Sequence, residues 1–300
     1  LTGNWKPHEL FDAWAAKGAN ANGAGFGVFE YYSNIVGNRF LPGGPRAADI
    51  AYLRRTIPDF YQRGARRLRS GTAYSNGTVA LGAYLASRML WDVTAAERVD
   101  EMVAEFLDLS FGGAAAPAMD RFFRLIYRFH PDEPRLPLTE DKVGRMYRAL
   151  REAWDLTAED AVRARLGGLI LYTRYAELHL AAGAAPSPER AEAYSEVMRH
   201  AWRMRETMMV NVYGLLAYPS NVLPREQVHW SVPAGENPWK QGEDFTAAEI
   251  LQTLRDGIAN NRVGEFFTRE FSEDLMPVTA LRFEDKPVGS HGFGLPPGGR

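Results

Sequence analysis

A chain of 300 residues with 35 basic and 37 acidic side chains has no charge surplus with which to hold nucleic acid or an anionic membrane surface. It contains no cysteine, which excludes disulfides, thiolate nucleophiles and cysteine-ligated zinc. A hydrophobic fraction of 46% supplies core for about two domains, and an aromatic fraction of 12% suffices to line a sugar site or simply to fill that core.

Trp5, Leu10, Phe11 and Trp14 recur at helical spacing and predict a short helix over 5–17. The small-residue run 23–27 then gives way to Val28, Phe29, Glu30, Tyr31 and Tyr32. Val28 and Phe29 favour extended chain. The run stops at a polar stretch over 33–45 rich in glycine and proline, the profile of a buried strand opening into a loop. Ile50, Leu53, Ile57 and Phe60 predict a helix over 46–62, which Pro58 is expected to kink or end. A turn at Gly64, a short strand and a polar tip carrying Tyr74, Ser75 and Asn76 follow. Helix alternating with strand is the pattern of a parallel α/β sheet or barrel.

From Val79 the character changes. Leu81, Tyr84, Leu85 and Met89 form one stripe ending at Trp91. Thr94-Ala95-Ala96-Glu97 reads as a capping box opening a helix to about residue 111, where Gly112-Gly113 ends it. Further helices are expected over 114–129, from Thr139, and from Thr157 to about residue 182. Ser187-Pro188 opens a long helix whose last half, 208–218, is almost wholly apolar and is expected at the centre of a bundle. Residues 219–244, with four prolines, His229, Trp230 and Trp239, read as a long functional loop or linker. Thr246 and Glu249 form a second capping box, with Phe245 and Ile250 as its hydrophobic staple, and the tail after residue 262 shows only an extended stretch at 278–283.

Nucleotide-binding glycine loops, His-Glu-x-x-His and Gly-x-Ser-x-Gly are missing from the sequence. Glu196 and His200 lie four apart on a predicted helix, but an ordinary helical pair outweighs a metal site there, and no metal or cofactor is expected. Glu30, Tyr31 and Tyr32 at one strand end, with Tyr74 and Asn76 at the next, are the parts of a sugar site. Carboxylates and amides bond hydroxyls, and aromatic faces cover a pyranose. Plainer readings stand beside this one: Glu30 paired to Arg39 or Arg69, Tyr32 and Tyr74 as core tyrosines, and Asn76-Gly77 as a turn.

The order Val28-Phe29-Glu30-Tyr31-Tyr32, Ala48-Asp49-Ile50, Gly64, Tyr74 and then Tyr84-Leu85-Ala86-Ser87-Arg88-Met89-Leu90-Trp91-Asp92 resembles the bacterial family first catalogued as domain of unknown function 4838. Phe245-Thr246-Ala247-Ala248-Glu249-Ile250 and Asp256-Gly257 resemble its C-terminal part. Members with an assigned activity form glycoside hydrolase family 163, endo-β-N-acetylglucosaminidases acting on complex N-glycans. The resemblance implies a fold of class α/β followed by all-α: the C-terminal part of a (β/α)8 barrel over 1–92, a mainly α-helical domain over 93–262 containing the 219–244 loop, and an irregular tail over 263–300. It implies a glycan or glycoprotein partner and a secreted or periplasmic setting. It also implies a main catalytic acid upstream of Leu1, a start that reads as mid-protein, which leaves Glu30 as a supporting catalytic carboxylate and Tyr31, Tyr32, Tyr74 and Asn76 as substrate-binding groups. The alternative is a non-catalytic helical interaction or glycan-binding module, with a groove lined by Trp202, Trp230 and Trp239.

Overall fold

A computed structural model describes residues 7–16, 25–33, 40–71, 76–134, 137–217 and 224–264. Helix α1 (Pro7–Ala16) precedes strand β1 (Phe26–Glu30). A 3-10 turn, Arg46–Ala48, leads into α2 (Ile50–Gln62), and β2 (Ala65–Ser70) returns parallel to β1 with Val28 opposite Leu68 and Glu30 opposite Ser70. Gly64 makes the reversal from α2 to β2 at φ 97°, a backbone angle that a side chain resists. Pro58 neither ends nor splits α2, which continues to Gln62.

The remaining elements are helices: α3 (Asn76–Trp91), α4 (Val99–Phe111), α5 (Ala116–Ile126), α6 (Glu140–Asp155), α7 (Asp160–Ala184), α8 (Ser187–Arg203), α9 (Val212–Ala217), α10 (Arg225–Val228) and α11 (Ala247–Asn260). The barrel expectation is therefore corrected. Of the described residues 67% are helical, and they hold one two-stranded parallel sheet. The physical reason lies in where the apolar stripes are spent. Helix α3, expected as the last helix of the barrel portion over 1–92, packs on α2, α4 and α7, and its Leu81, Leu85 and Met89 are buried in the core that also holds Tyr172 and Leu254. A second reason lies at residue 76, where a helix starts in place of the expected strand-end loop.

Two local expectations also change. Asp92, rather than Thr94, caps the next segment by accepting Thr94 N–H at 3.0 Å, and a 3-10 turn, Val93–Arg98, intervenes before α4. The long helix expected from Ser187 ends at Arg203, and Met208 adopts φ 55°. The break has a tertiary purpose. The Met208 carbonyl accepts Gly77 N–H at 3.1 Å and the Met209 carbonyl accepts the Thr78 hydroxyl at 3.0 Å, so the break supplies acceptors to the first turn of α3. The Met209 side chain lies against Gly77 and Gly168, where a Cβ would collide with it. The expected caps of α6 and α11 are present: Thr139 accepts Lys142 N–H, and Thr246 with Glu249 closes a reciprocal box.

Polar clamps join the sheet unit to the helices. Asp49 caps α2 through Tyr52 N–H at 2.9 Å and pairs with Arg128, 79 positions on, at 3.0 Å. Beside that pair Ile50 N–H donates to the Arg128 carbonyl at 2.8 Å, and Arg128 N–H donates to the Ala48 carbonyl at 2.8 Å. Glu177 on α7 accepts Tyr147 of α6 at 2.9 Å and the Asn261 amide at 2.8 Å, fixing α11 against both helices. Among the described residues no helix is long and apolar enough to cross a membrane. The expected extended stretch at 278–283 lies outside the described residues.

Candidate functional site

Strand β1 ends on a buried carboxylate. Successive strand residues face opposite sides, and burial follows that alternation: Glu30 and Tyr32 are buried while Phe29 and Tyr31 are exposed. Glu30 Oε2 accepts Arg46 at 2.7 Å and Oε1 accepts the Tyr52 hydroxyl at 2.6 Å. Arg46 also lies over the Tyr52 ring, 4.9 Å from its centroid. Its side chain remains 50% exposed, so one guanidinium joins the buried carboxylate to solvent. The ion-pair reading of Glu30 thus applies, with Arg46 as partner instead of Arg69; Arg39 lies outside the described residues.

Tyr52 is pushed up to about 12, first by burial and then by its bond to Glu30, so its hydroxyl remains a donor at neutral pH. Tyr32 is raised further, by burial and then by the nearby Glu30. The Tyr32 hydroxyl is buried without a hydrogen-bond partner, although a core tyrosine ordinarily has one. Tyr31 is on the other side. It is 53% exposed and meets Phe29, 52% exposed, edge to face at 4.9 Å. Glu30 and Tyr32 are therefore brought together with two residues that sequence reading did not select, Arg46 and Tyr52, while Tyr31 joins a separate aromatic pair. Tyr74 lies outside the described residues, and of Asn76 only the backbone is described, opening α3.

Of the three tryptophans expected around one groove, Trp202 and Trp230 share a neighbour, Lys240, whose ammonium lies 5.4 Å from the Trp202 ring centroid and donates to the Trp230 carbonyl. Trp239 is buried and donates its indole N–H to Ser195 at 3.1 Å, and Trp230 is half exposed. His200 is likewise committed inward. Its Nε2 bonds the Leu171 carbonyl at 2.8 Å, and burial lowers its pKa to about 4.

A cleft of about 520 Å³ lies where the 41–44 turn, the start of α2 and the segment after α5 meet α6. Leu41, Leu125, Ile126 and Leu138 give it apolar walls. Its charged lining is Asp49, Arg124, Arg128, Glu133 and Lys142. Arg128 is committed to Asp49 and to the carbonyls of Glu133 and Pro131. Glu133 accepts the backbone N–H groups of Phe129 at 2.7 Å and His130 at 3.1 Å. Lys142 is 5% exposed, and burial lowers its pKa to about 8. Sequence reading passed over Lys142. The available signal was a lysine in the first turn of a helix in a chain where lysine supplies only five of 35 basic residues.

No protein-family model, curated protein or solved structure matches this chain.

Proposed function

We propose that the chain is a carbohydrate-active protein, resembling the endo-β-N-acetylglucosaminidases that act on N-glycans, and that it holds sugar at the end of β1. The observation that carries this reading is the Phe29–Tyr31 pair, each ring more than half exposed where a parallel strand ends. Ligands of parallel α/β units sit at the carboxyl ends of strands, and exposed rings cover the apolar face of a pyranose. Arg46, anchored by Glu30 and Tyr52, offers the remaining guanidinium hydrogens to hydroxyls. Both Glu30 oxygens are engaged, so Glu30 supports Arg46 and the proton donor is a different carboxylate.

Calorimetric titration with chitobiose and a biantennary N-glycan tests the reading. Binding that falls at least about tenfold, roughly 1.4 kcal/mol, in the Phe29→Ala/Tyr31→Ala protein supports it. Equal binding by that variant, or no binding by the unaltered chain, removes it.

A second reading, a helical module that binds another protein, is favoured by Trp91. This indole is 94% exposed at the end of α3, beside the half-exposed Leu90. Retention of a stoichiometric protein partner that is lost in Trp91→Ala would select it.

A further inference from the structure

Strand β2 carries arginine at 66, 67 and 69, and a slip in its pairing decides which of them share a face with the exposed rings of β1. Ala65 stands opposite Phe26, but Arg67 rather than Arg66 stands opposite Gly27, so Arg66 is an extra residue in the ladder. Without that slip Leu68 would be opposite Phe29. With it Leu68 lies opposite Val28, and Arg69 lies opposite Phe29. Residues directly opposite each other share a face, as do residues two apart on one strand. Phe29, Tyr31, Arg67 and Arg69 therefore belong to one face, and all four are exposed.

Arg66 is engaged locally. Its guanidinium donates to the carbonyls of Tyr61 at 2.8 Å and Ala65 at 2.9 Å, and it lies 4.3 Å from the Tyr61 ring centroid. Arg67 and Arg69 have no ion-pair or hydrogen-bond partner for their guanidinium groups among the described residues. The rings reach across to β2 as well: a Cβ on Gly71 would lie 3.0 Å from Tyr31 Cδ1 and 3.6 Å from Phe29 Cζ. Parallel sheets are ordinarily covered on both faces, whereas this one presents two rings and two cations to solvent.

We propose that this face receives a sugar acid, a glycan unit that carries a carboxylate, with its ring lying on Phe29 and Tyr31 and its carboxylate held by Arg69 beside Arg67. The inference rests on the reading of the Phe29–Tyr31 pair as a sugar platform and adds the charge of the sugar.

Neighbouring strands lie about 4.8 Å apart, so the substituents of a pyranose seated on Phe29 come within reach of the Arg69 side chain. A guanidinium matches a carboxylate through two parallel N–H bonds. Arg67 stands about 6.6 Å further back along β2 and adds to the positive potential there. A neutral sugar would leave both cations without a counter-charge. A long polyanion does not suit a chain of net charge −2, so one carboxylate per bound glycan end is the matching charge.

The experiment is calorimetric titration of the whole chain with two pairs of probes. One pair is a biantennary N-glycan ending in sialic acid and the same glycan desialylated. The other is a disaccharide ending in glucuronic acid and its counterpart ending in glucose. At least one acid should bind at least about tenfold more tightly than its neutral counterpart, and which acid does so identifies the source of the carboxylate. The preference should shrink between about 50 mM and about 300 mM NaCl, because exposed charges are screened. Arg67→Gln/Arg69→Gln, judged folded by circular dichroism, should bring the acid down to the affinity of its neutral counterpart, whereas Arg66→Gln should keep the preference. Equal binding within both pairs, a preference indifferent to salt, or a preference kept by the double variant would each overturn the sugar-acid assignment and leave the sugar platform standing. Binding of none of the four probes would remove both.

Discussion

Tyr52 donates its hydroxyl to Glu30 at 2.6 Å, and this contact ties the first turns of α2 to the end of β1. It is charge-assisted and largely withdrawn from water. Tyr52→Phe should lower stability by about 1–2 kcal/mol, because Glu30 then loses one of its two partners. In a double-mutant cycle with Glu30→Gln, followed by urea denaturation, the two changes should couple by about 1 kcal/mol. Strictly additive losses would show that the bond has no energy of its own.

Asp49 performs two tasks, capping α2 and neutralising Arg128. Asp49→Ala removes both and should cost about 2–4 kcal/mol. Asp49→Asn keeps a capping oxygen and should fall between the variant and the unaltered chain. Melting temperatures in that order support the assignment, and an Asn variant as unstable as the Ala variant would mean that the ion pair dominates.

Lys142 makes stability depend on alkaline pH. Its folded value, about 8, lies below the ordinary 10.5. Between these values the unfolded chain holds more protons than the folded one, so stability rises with pH across that window and the penalty is fully present below about 8. Lys142→Met should be more stable at pH 7 by on the order of 1–3 kcal/mol. It should also flatten the slope between pH 8 and 10 in urea titrations.

His200 acts on the acid side. Its folded value, about 4, lies below the ordinary 6.5 because burial disfavours the charged ring. In that window the unfolded chain again holds the extra proton, so stability is full above about pH 6.5 and is lost as the pH falls toward 4. Thermal melts at pH 7, 5.5 and 4.5 should show a steeper decline for the unaltered chain than for His200→Gln. Parallel declines would place acid sensitivity elsewhere.

The features legible in the sequence are those that a few neighbouring residues decide. Thr246 with Glu249, Thr139 before α6 and Gly112 after α4 act within one turn of their own helix, and the structure shows each in that place. The parallel pairing of β1 and β2 followed from the order of strand, helical stripe, glycine turn and short strand, although β2 itself carries arginine at 66, 67 and 69. What escaped depends on distant partners. The end of α8 is set by the needs of α3, more than a hundred residues earlier in the chain, and nothing in the apolar run 208–218 signals it. Arg46, rather than Arg69, finds Glu30 because the 3-10 turn before α2 delivers it there. Lys142 looks like an ordinary solvated helix residue in the sequence, and only the tertiary fold buries it. The barrel expectation failed for a related reason: a strand–helix–strand unit is locally the same whether more strands or a layer of helices covers it.

The first turn of α2 is completed by a residue made much later. Ile50 N–H and the Asp49 carboxylate both wait for Arg128, whose carbonyl and guanidinium lie 78 and 79 positions downstream. At about 5–20 residues per second on the ribosome, that interval is roughly 4–16 s. During it the β1–α2–β2 unit, with α3 already available to cover part of α2, has left the exit site with the first turn of α2 still open. A chaperone that shields such a segment during synthesis would thus raise the yield of this chain more than one added after release, and truncating translation before Arg128 should leave a nascent chain far more sensitive to protease within α2 than one halted after α5 has emerged.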